Sequence, residues 1–318
     1  MITEDQLEQL AIQWFQDTGW NYVHGAVIAP EAEPSSQPSP TGRRRNTSER
    51  EDFRAVVLKG RLAEAVRRLN PKLPESAVEE VVHVVTKPAH PSLVQNNRAF
   101  HRYLMDGVLV EFTNANGEKE ADYAQLVDFT WASRNDFLVV NQFTITGTKK
   151  PRRPDLVCFV NGLPLGLIEL KNPADQQADV WKAFDQLQTY QAEISDLLVF
   201  NEALVVSDGM NARVGSLTAS KEWFMPWRTR WNENDKPVVE FELETVVRGF
   251  FKPDLFLDYV RYFILFEQDG DGLIKKIFLY GYEKHMWDAL PGGSFIGFTG
   301  TPIEKAGTCC LFSASSEQ

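Results

Sequence analysis

The chain has 318 residues, with 33 Lys+Arg against 44 Asp+Glu and a formal net charge of −11. Hydrophobic residues make up 43% and charged residues 24%, the composition of a folded globular protein of about two ordinary domains rather than a disordered or fibrous one. Apolar runs such as Leu163 to Ile168 fall far short of the roughly 20 residues that span a bilayer, and the acidic balance argues against a protein that coats nucleic acid by charge alone.

Three cysteines, Cys158, Cys309 and Cys310, make neither a disulfide framework nor a zinc site. The opening residues Thr3, Glu4 and Asp5 are unlike a signal peptide, so the cytoplasm is the expected compartment, without a membrane partner. Negative charge does not exclude a site that collects metal ions, because such a site is itself acidic.

Thr3 to Trp20 reads as an amphipathic helix. Thr3 and Gln6 have capping-box spacing, Leu7, Leu10, Ala11, Trp14 and Phe15 recur at helical intervals, and Gly19 ends the run. From Pro30 to Thr47 the composition turns to Pro, Ser and Glu and then Arg43-Arg44-Arg45, a surface insertion whose arginines are expected in solvent. Helices are expected over Arg54 to Leu69 and Glu75 to Val85. Strand alternation is expected around Gly107 to Phe112 and Phe137 to Thr146. Leu156 to Val160 and Leu163 to Leu170 are joined by Asn161-Gly162, a strong hairpin signal. A helix over about Asp175 to Glu193 and a buried strand over Glu202 to Val206 complete an α/β pattern that fills the chain to about residue 232.

The chemistry-bearing cluster is Arg152-Arg153-Pro154-Asp155, then the hairpin, then Glu169-Leu170-Lys171. Alternation along a strand puts Glu169 and Lys171 on one face, and the hairpin brings Asp155 back beside Glu169. Two carboxylates at one sheet edge suit a hard divalent cation such as Mg²⁺, with the backbone carbonyl of Leu170 as a further oxygen ligand. Lys171 would then orient the attacking water and stabilise negative charge at phosphorus. The plainer reading is a solvated strand end with a surface ion pair; the apolar strands that force the polar groups together favour the chemical one. Gln186 and Tyr190, at i and i+4, share a face of the following helix and could point at the same place. Against this stands a helix with Tyr190 simply half-buried.

These residues resemble a family. Asn141-Gln142-Phe143, Arg153-Pro154-Asp155, Asn161-Gly162-Leu163-Pro164-Leu165 and Ile168-Glu169-Leu170-Lys171-Asn172-Pro173 look like the nuclease domain of the restriction (R) subunit of type I restriction–modification enzymes. So do Trp181 to Tyr190, Ser207-Asp208-Gly209 with Ala212-Arg213, and Phe224 to Arg228. The resemblance implies a PD-(D/E)xK restriction-endonuclease-like fold, a mixed sheet flanked by helices. It places Asp155, Glu169 and Lys171 on the core triad and Gln186 and Tyr190 on the Q-x-x-x-Y motif. Glu8, on the first helix, lies where many such nucleases carry a supporting carboxylate, although an exposed helix position is the plainer expectation for it. The implied activity is Mg²⁺-dependent hydrolysis of double-stranded DNA, in defence against foreign DNA and in company with modification (methyltransferase) and specificity subunits.

Family R subunits also carry an ATP-driven motor of the superfamily 2 helicase type, and here the sequence departs from the pattern. It contains no G-x-x-x-x-G-K-[ST] phosphate loop and no D-E-x-H box, while Phe295 to Pro302 resembles a later motor motif in which Thr299, Gly300 and Thr301 would be a remnant. The expectation is therefore a nuclease domain at 1–232 with its Pro/Ser/Arg-rich insertion at 30–50, a connector at 233–276, a motor-derived remnant at 277–305 and an atypical tail at 306–318. ATP, required by the family, would find no site in it. The alternative is a non-catalytic remnant that only binds DNA or partner subunits.

Overall fold

The first helix, α1 (Glu4–Asp17), begins on the expected cap. Thr3 Oγ1 accepts from the Gln6 amide at 3.3 Å while Gln6 Oε1 accepts from the Thr3 amide at 3.0 Å, and Gly19, at φ +97°, turns the chain out of the helix. The structure is a computed structural model and describes residues 3–30, 48–113, 117–171, 180–227, 241–268 and 274–278. Packing divides the chain into Met1–Phe278 and Leu279–Gln318, and every described residue belongs to the first unit.

After α1 come β1 (Asn21–His24), α2 (Lys59–Leu69), α3 (Glu75–Thr86), α4 (Leu93–Asp106) and the hairpin of β2 (Val108–Thr113) with β3 (Lys119–Ala124). The second half holds β4 (Phe137–Asn141), β5 (Leu156–Val160), β6 (Leu163–Leu170), α5 (Val180–Glu193), α6 (Ser195–Leu198), β7 (Ala203–Ser207) and β8 (Ala212–Gly215). Then follow α7 (Glu242–Thr245), a π-helical turn (Val246–Phe250), α8 (Pro253–Tyr262) and the hairpin of β9 (Ile264–Gln268) with β10 (Ile274–Phe278). Among the described residues no helix is long and apolar enough to cross a membrane.

Helix α2 starts at Lys59, not near Arg54 as its pattern suggested. Asp52 Oδ1 accepts from the amides of Arg54 and Ala55 at 2.7 and 2.9 Å, which makes a turn there. Val56, Val57 and Leu58 are then buried in a bend before the helix, with the Leu58 amide donating to the Gly162 carbonyl at 2.9 Å.

A six-stranded mixed sheet in the order β1-β4-β5-β6-β7-β8 forms the centre, with β1–β4 and β6–β7 parallel and the other pairs antiparallel. Every residue of β4 to β7 is buried, which is why these strands read as unbroken apolar runs. Helix α1 lies against β1, β4 and β6, while α5 lies against β6 and β7 and supplies the crossover that a parallel pair requires. An aromatic cluster fastens α1 to the later helices: Phe15 stands 5.2 Å from Trp20 and 5.3 Å from Phe251, and the Trp20 indole N–H donates to the Phe251 carbonyl at 2.8 Å. This is a mixed α/β architecture of the restriction-endonuclease-like kind.

The β5–β6 turn is Asn161-Gly162, with φ +53° and +80°, the two positive values that a two-residue hairpin turn of this hand needs. A side chain at Gly162 would also meet the Leu58 carbonyl at 2.5 Å. Asn161 does more than turn. Fully buried, its Oδ1 accepts from the Asp136 amide (2.8 Å) and Arg68 (3.1 Å), and its Nδ2 donates to the Leu126 carbonyl and Asn135 Oδ1, both at 2.9 Å. Asn161→Ala should therefore cost about 3 kcal/mol in a urea melt, since it strands several buried partners at roughly 1 kcal/mol or more each. A loss under about 1 kcal/mol would mean that water replaces the amide.

The β9–β10 hairpin is held by a buried charge. Lys276 Nζ donates to Glu202 Oε2 at 2.8 Å, to the Asn201 carbonyl at 2.6 Å and to Asn97 Oδ1 at 3.1 Å, with no exposed surface on either ionic side chain. His101 Nδ1 approaches the same Glu202 oxygen at 3.1 Å. The Lys276 carbonyl accepts from Ser216 and Thr218 hydroxyls at 2.6 and 3.0 Å.

Candidate active site

The register of the β5–β6 hairpin places the acidic residues. Leu156 pairs with Ile168, so Asp155, one residue outside β5, stands across from Glu169 near the end of β6. Asp155 Oδ2 accepts from the Leu170 amide at 2.6 Å. Glu169, 4% exposed, is held on both oxygens: Oε1 accepts from Lys171 Nζ at 2.7 Å and Oε2 from the Tyr190 hydroxyl at 3.0 Å. Lys171 Nζ also donates to the Leu170 carbonyl at 2.8 Å. The ammonium thus bridges two of the oxygens that the sequence reading gave to a cation, the Glu169 carboxylate and the Leu170 carbonyl.

Asp155, Glu169, Lys171 and Tyr190 are therefore gathered at one end of the sheet. Gln186, one turn before Tyr190 on α5, is a hydrogen-bond partner of the Tyr190 hydroxyl. Tyr190 is 3% exposed rather than half-buried, and its hydroxyl is spent on Glu169. The Ser207-Asp208-Gly209 segment has a scaffold part. The Lys171 amide donates to the Ser207 carbonyl at 2.8 Å, while Ser207 Oγ accepts from the Gly209 amide and donates to the Asn211 carbonyl, both at 2.8 Å.

Glu8 is not an exposed helix residue. It is 4% exposed, accepting from Asn141 Nδ2 at 2.7 Å and from Gln142 Nε2 at 2.8 Å. Asn141 Oδ1 in turn accepts from the Tyr22 hydroxyl at 3.0 Å. Gln142 has φ +53°, and its amide donates to the Asp155 carbonyl at 3.3 Å, which sets this second acidic position one strand from the first. The expected strand over Phe137 to Thr146 is accordingly broken at Gln142, because the chain turns there to aim its side chain at Glu8. Sequence reading gave Asn141, Gln142 and Tyr22 no part in this. The available signal was two amides placed directly after four apolar strand residues.

Burial, then the neighbouring Glu169 charge, push Asp155 up to about 8, against the opposing pull of the Leu170 amide and Lys171. Burial raises Glu169 too, opposed by Lys171 and Tyr190. Tyr190 is raised by burial and then by the two carboxylates. Glu169 is buried and Asp155 half-buried beside it, with Lys171 as the one cation set against both carboxylates. That excess of negative charge, with a carbonyl oxygen beside it, fits a hard divalent cation. Among the described residues no three His, Cys, Asp or Glu side chains gather around one point, so such a cation would complete its shell with water. Arg43, Arg44, Arg45, Thr299, Gly300, Thr301, Cys309 and Cys310 lie outside the described residues, as do Asn172 and Pro173.

A model of the family described as the type I restriction enzyme R protein N terminus matches residues 1–223. The chain is 43% identical over 284 residues to the type I restriction enzyme HindI endonuclease subunit of Haemophilus influenzae, covering 88% of the chain and 26% of that protein. It is 30% identical over 302 residues to a Methanocaldococcus jannaschii protein provisionally assigned as the MjaIXP endonuclease subunit of a type I restriction enzyme, covering 89% and 27%. A third relative, the EcoprrI endonuclease subunit of Escherichia coli, is 24% identical over 192 residues, 58% of the chain and 59% of that protein. The chain thus spans about a quarter of the length of the first two relatives.

Proposed function

The chain belongs to the type I restriction enzyme R protein family, and from that premise we propose that its described unit is a Mg²⁺-dependent endonuclease acting on double-stranded DNA. The observation that supports this best is the convergence of the buried Glu169 and the half-buried Asp155 beside the single ammonium of Lys171. Asp155, Glu169 and the Leu170 carbonyl would hold the Mg²⁺, which when bound supplies Lewis-acid polarisation of a phosphoryl oxygen. Glu8 would contribute at longer range through Asn141 and Gln142.

The chain's own residues supply the rest. Lys171 carries its charge where a scissile phosphate would gain negative charge in the transition state, and it orients the attacking water. Tyr190 fixes the second oxygen of Glu169, so that carboxylate cannot swing away, and Gln186 orients the Tyr190 hydroxyl. Recognition of a DNA site and modification belong in this reading to the modification and specificity subunits, and ATP-driven movement to a motor whose phosphate loop and D-E-x-H box are not found in these 318 residues. In it, residues 1–232 are the nuclease domain, 233–276 the connector and 277–305 a motor-derived remnant.

Metal titration tests the proposal. Mg²⁺ or Mn²⁺ should raise the melting temperature of the chain in proportion to the logarithm of metal concentration above Kd. Asp155→Ala and Glu169→Ala should each remove most of that rise. Equal stabilisation of the wild type and the double variant would sink the assignment and leave the non-catalytic remnant. A second expectation concerns ATP: the purified chain should release no phosphate from ATP with or without duplex DNA, because no phosphate loop is present in its sequence. DNA-stimulated turnover that survives purification would overturn it.

A further inference from the structure

In a chain of net charge −11, residues 148–153 read Thr-Lys-Lys-Pro-Arg-Arg, four cations without an acid, and lead within two residues to Asp155. The base of this loop is fixed. Ile145 and Arg152 exchange backbone hydrogen bonds at 2.8 Å in both directions, which closes the excursion. The Thr148 amide donates to the Glu193 carbonyl at 2.9 Å, and Arg152 Nε donates to Glu193 Oε2, with its Nη2 in ion-pair contact with the same oxygen. A Cβ on Gly147 would fall 2.0 Å from the Glu193 carbonyl, so the loop lies directly on the C-terminal end of α5, one turn beyond Tyr190.

The tip is different. The Lys149 side chain is 74% exposed and reaches Glu193 only at 3.6 Å. Lys150 and Arg153 are exposed and make no ion pair among the described residues. Arg152 is therefore the anchor, and the other three cations are offered to solvent from a rigid support.

With one ammonium beside two carboxylates, the site holds no surplus cation of its own for the phosphates that flank the scissile one. Two residues of extended chain span at most about 7 Å, on the order of two base-pair rises along a duplex axis and about one phosphate step along its strand. A phosphate next to the scissile one would thus lie within reach of Arg153. We propose that Lys150 and Arg153, with Lys149 beside them, form a phosphate track that seats the DNA backbone next to Asp155 and Glu169. This rests on the nuclease reading of the site.

The test uses the full chain, a fluorescently labelled duplex and anisotropy in EDTA over a range of salt, so that binding is read without metal or cutting. Lys150→Ala with Arg153→Ala should lower the slope of log Kd against log salt by about two, and weaken binding about 10- to 100-fold at 0.1 M salt. A control that removes the same charge elsewhere, Lys72→Ala with Lys87→Ala, both exposed, should change neither by more than about twofold. Unchanged binding in the loop variant, equal loss in the control, or no binding by the wild type would each overturn the track. Mg²⁺ stabilisation, measured in parallel, separates the two ideas. If it persists while the loop variant binds normally, only the track is wrong. If the loop variant loses binding while the wild type gains nothing from Mg²⁺, the loop's phosphate binding stands and the nuclease reading, with the seating of a scissile bond, falls.

Discussion

Lys171→Met should lower Mg²⁺-dependent nicking of plasmid DNA by about 100- to 1,000-fold while leaving Mg²⁺ stabilisation of the fold largely intact. The distinction follows from geometry. Lys171 Nζ donates to Glu169 Oε1 and the Leu170 carbonyl and is itself no ligand for a cation, so its removal takes away charge at phosphorus and leaves the carboxylates in place. Glu169→Gln should lose both the nicking and the stabilisation. Tyr190→Phe, which frees one oxygen of Glu169, should fall between them, with cutting down about tenfold. Wild-type rates in Lys171→Met would remove the ammonium from the reacting phosphate and with it the mechanism proposed above.

The second large effect is on stability. Lys276→Met should destabilise the fold by about 3–5 kcal/mol, because it leaves Glu202 charged and fully buried without its main partner. Lys276→Met combined with Glu202→Leu should recover most of that loss, since removing both charges also removes the cost of keeping them out of water. The pH dependence has a definite sign. Burial alone would raise Glu202, but Lys276 and His101 outweigh it and hold the carboxyl below its ordinary value. A depressed carboxyl stabilises the fold above its unfolded value of about 4.3, and that contribution disappears as pH falls through the folded value. Urea melts from pH 7 down to pH 3 should show this loss in the wild type and little of it in the double variant. A double variant as unstable as Lys276→Met would mean that the packing of the lysine stem, and not its charge, holds the hairpin.

The β5–β6 hairpin and its acidic end were legible from residue types alone. Asn161-Gly162 between apolar runs admits one kind of turn, and a two-residue turn then fixes which residues face each other. Glu169 and Lys171 follow from strand alternation, and Gln186 and Tyr190 from helical spacing. Other parts were hidden for physical reasons. Helix α4 carries Asn96, Asn97 and His101 on its buried face, so its apolar period is interrupted. Asn97 is there to receive Lys276 and to donate to the Val199 and Asn201 carbonyls, partners about a hundred or more residues away. Strand β1 has four residues and no fully buried one, too weak a pattern to find without its partner β4. Glu8 looked like any acid on a helix surface, because only Asn141 and Gln142, more than 130 residues later, show that it is inside.

The pairing of β1 with β4 also sets an order in time. Tyr22 meets Val139, which a ribosome adding roughly 5–20 residues per second reaches several seconds to tens of seconds later. Through that interval α1 has no sheet to cover Leu7, Ala11, Trp14 and Phe15, and a nascent chain must carry this apolar stripe exposed or shelter it on a chaperone. The hairpin bearing Asp155 and Glu169, by contrast, is local and closes almost as soon as it is made. The acidic end of the sheet is thus formed from its late-synthesised half first. Glu8, although translated well before β4, docks onto Asn141 and Gln142 only once that strand has emerged.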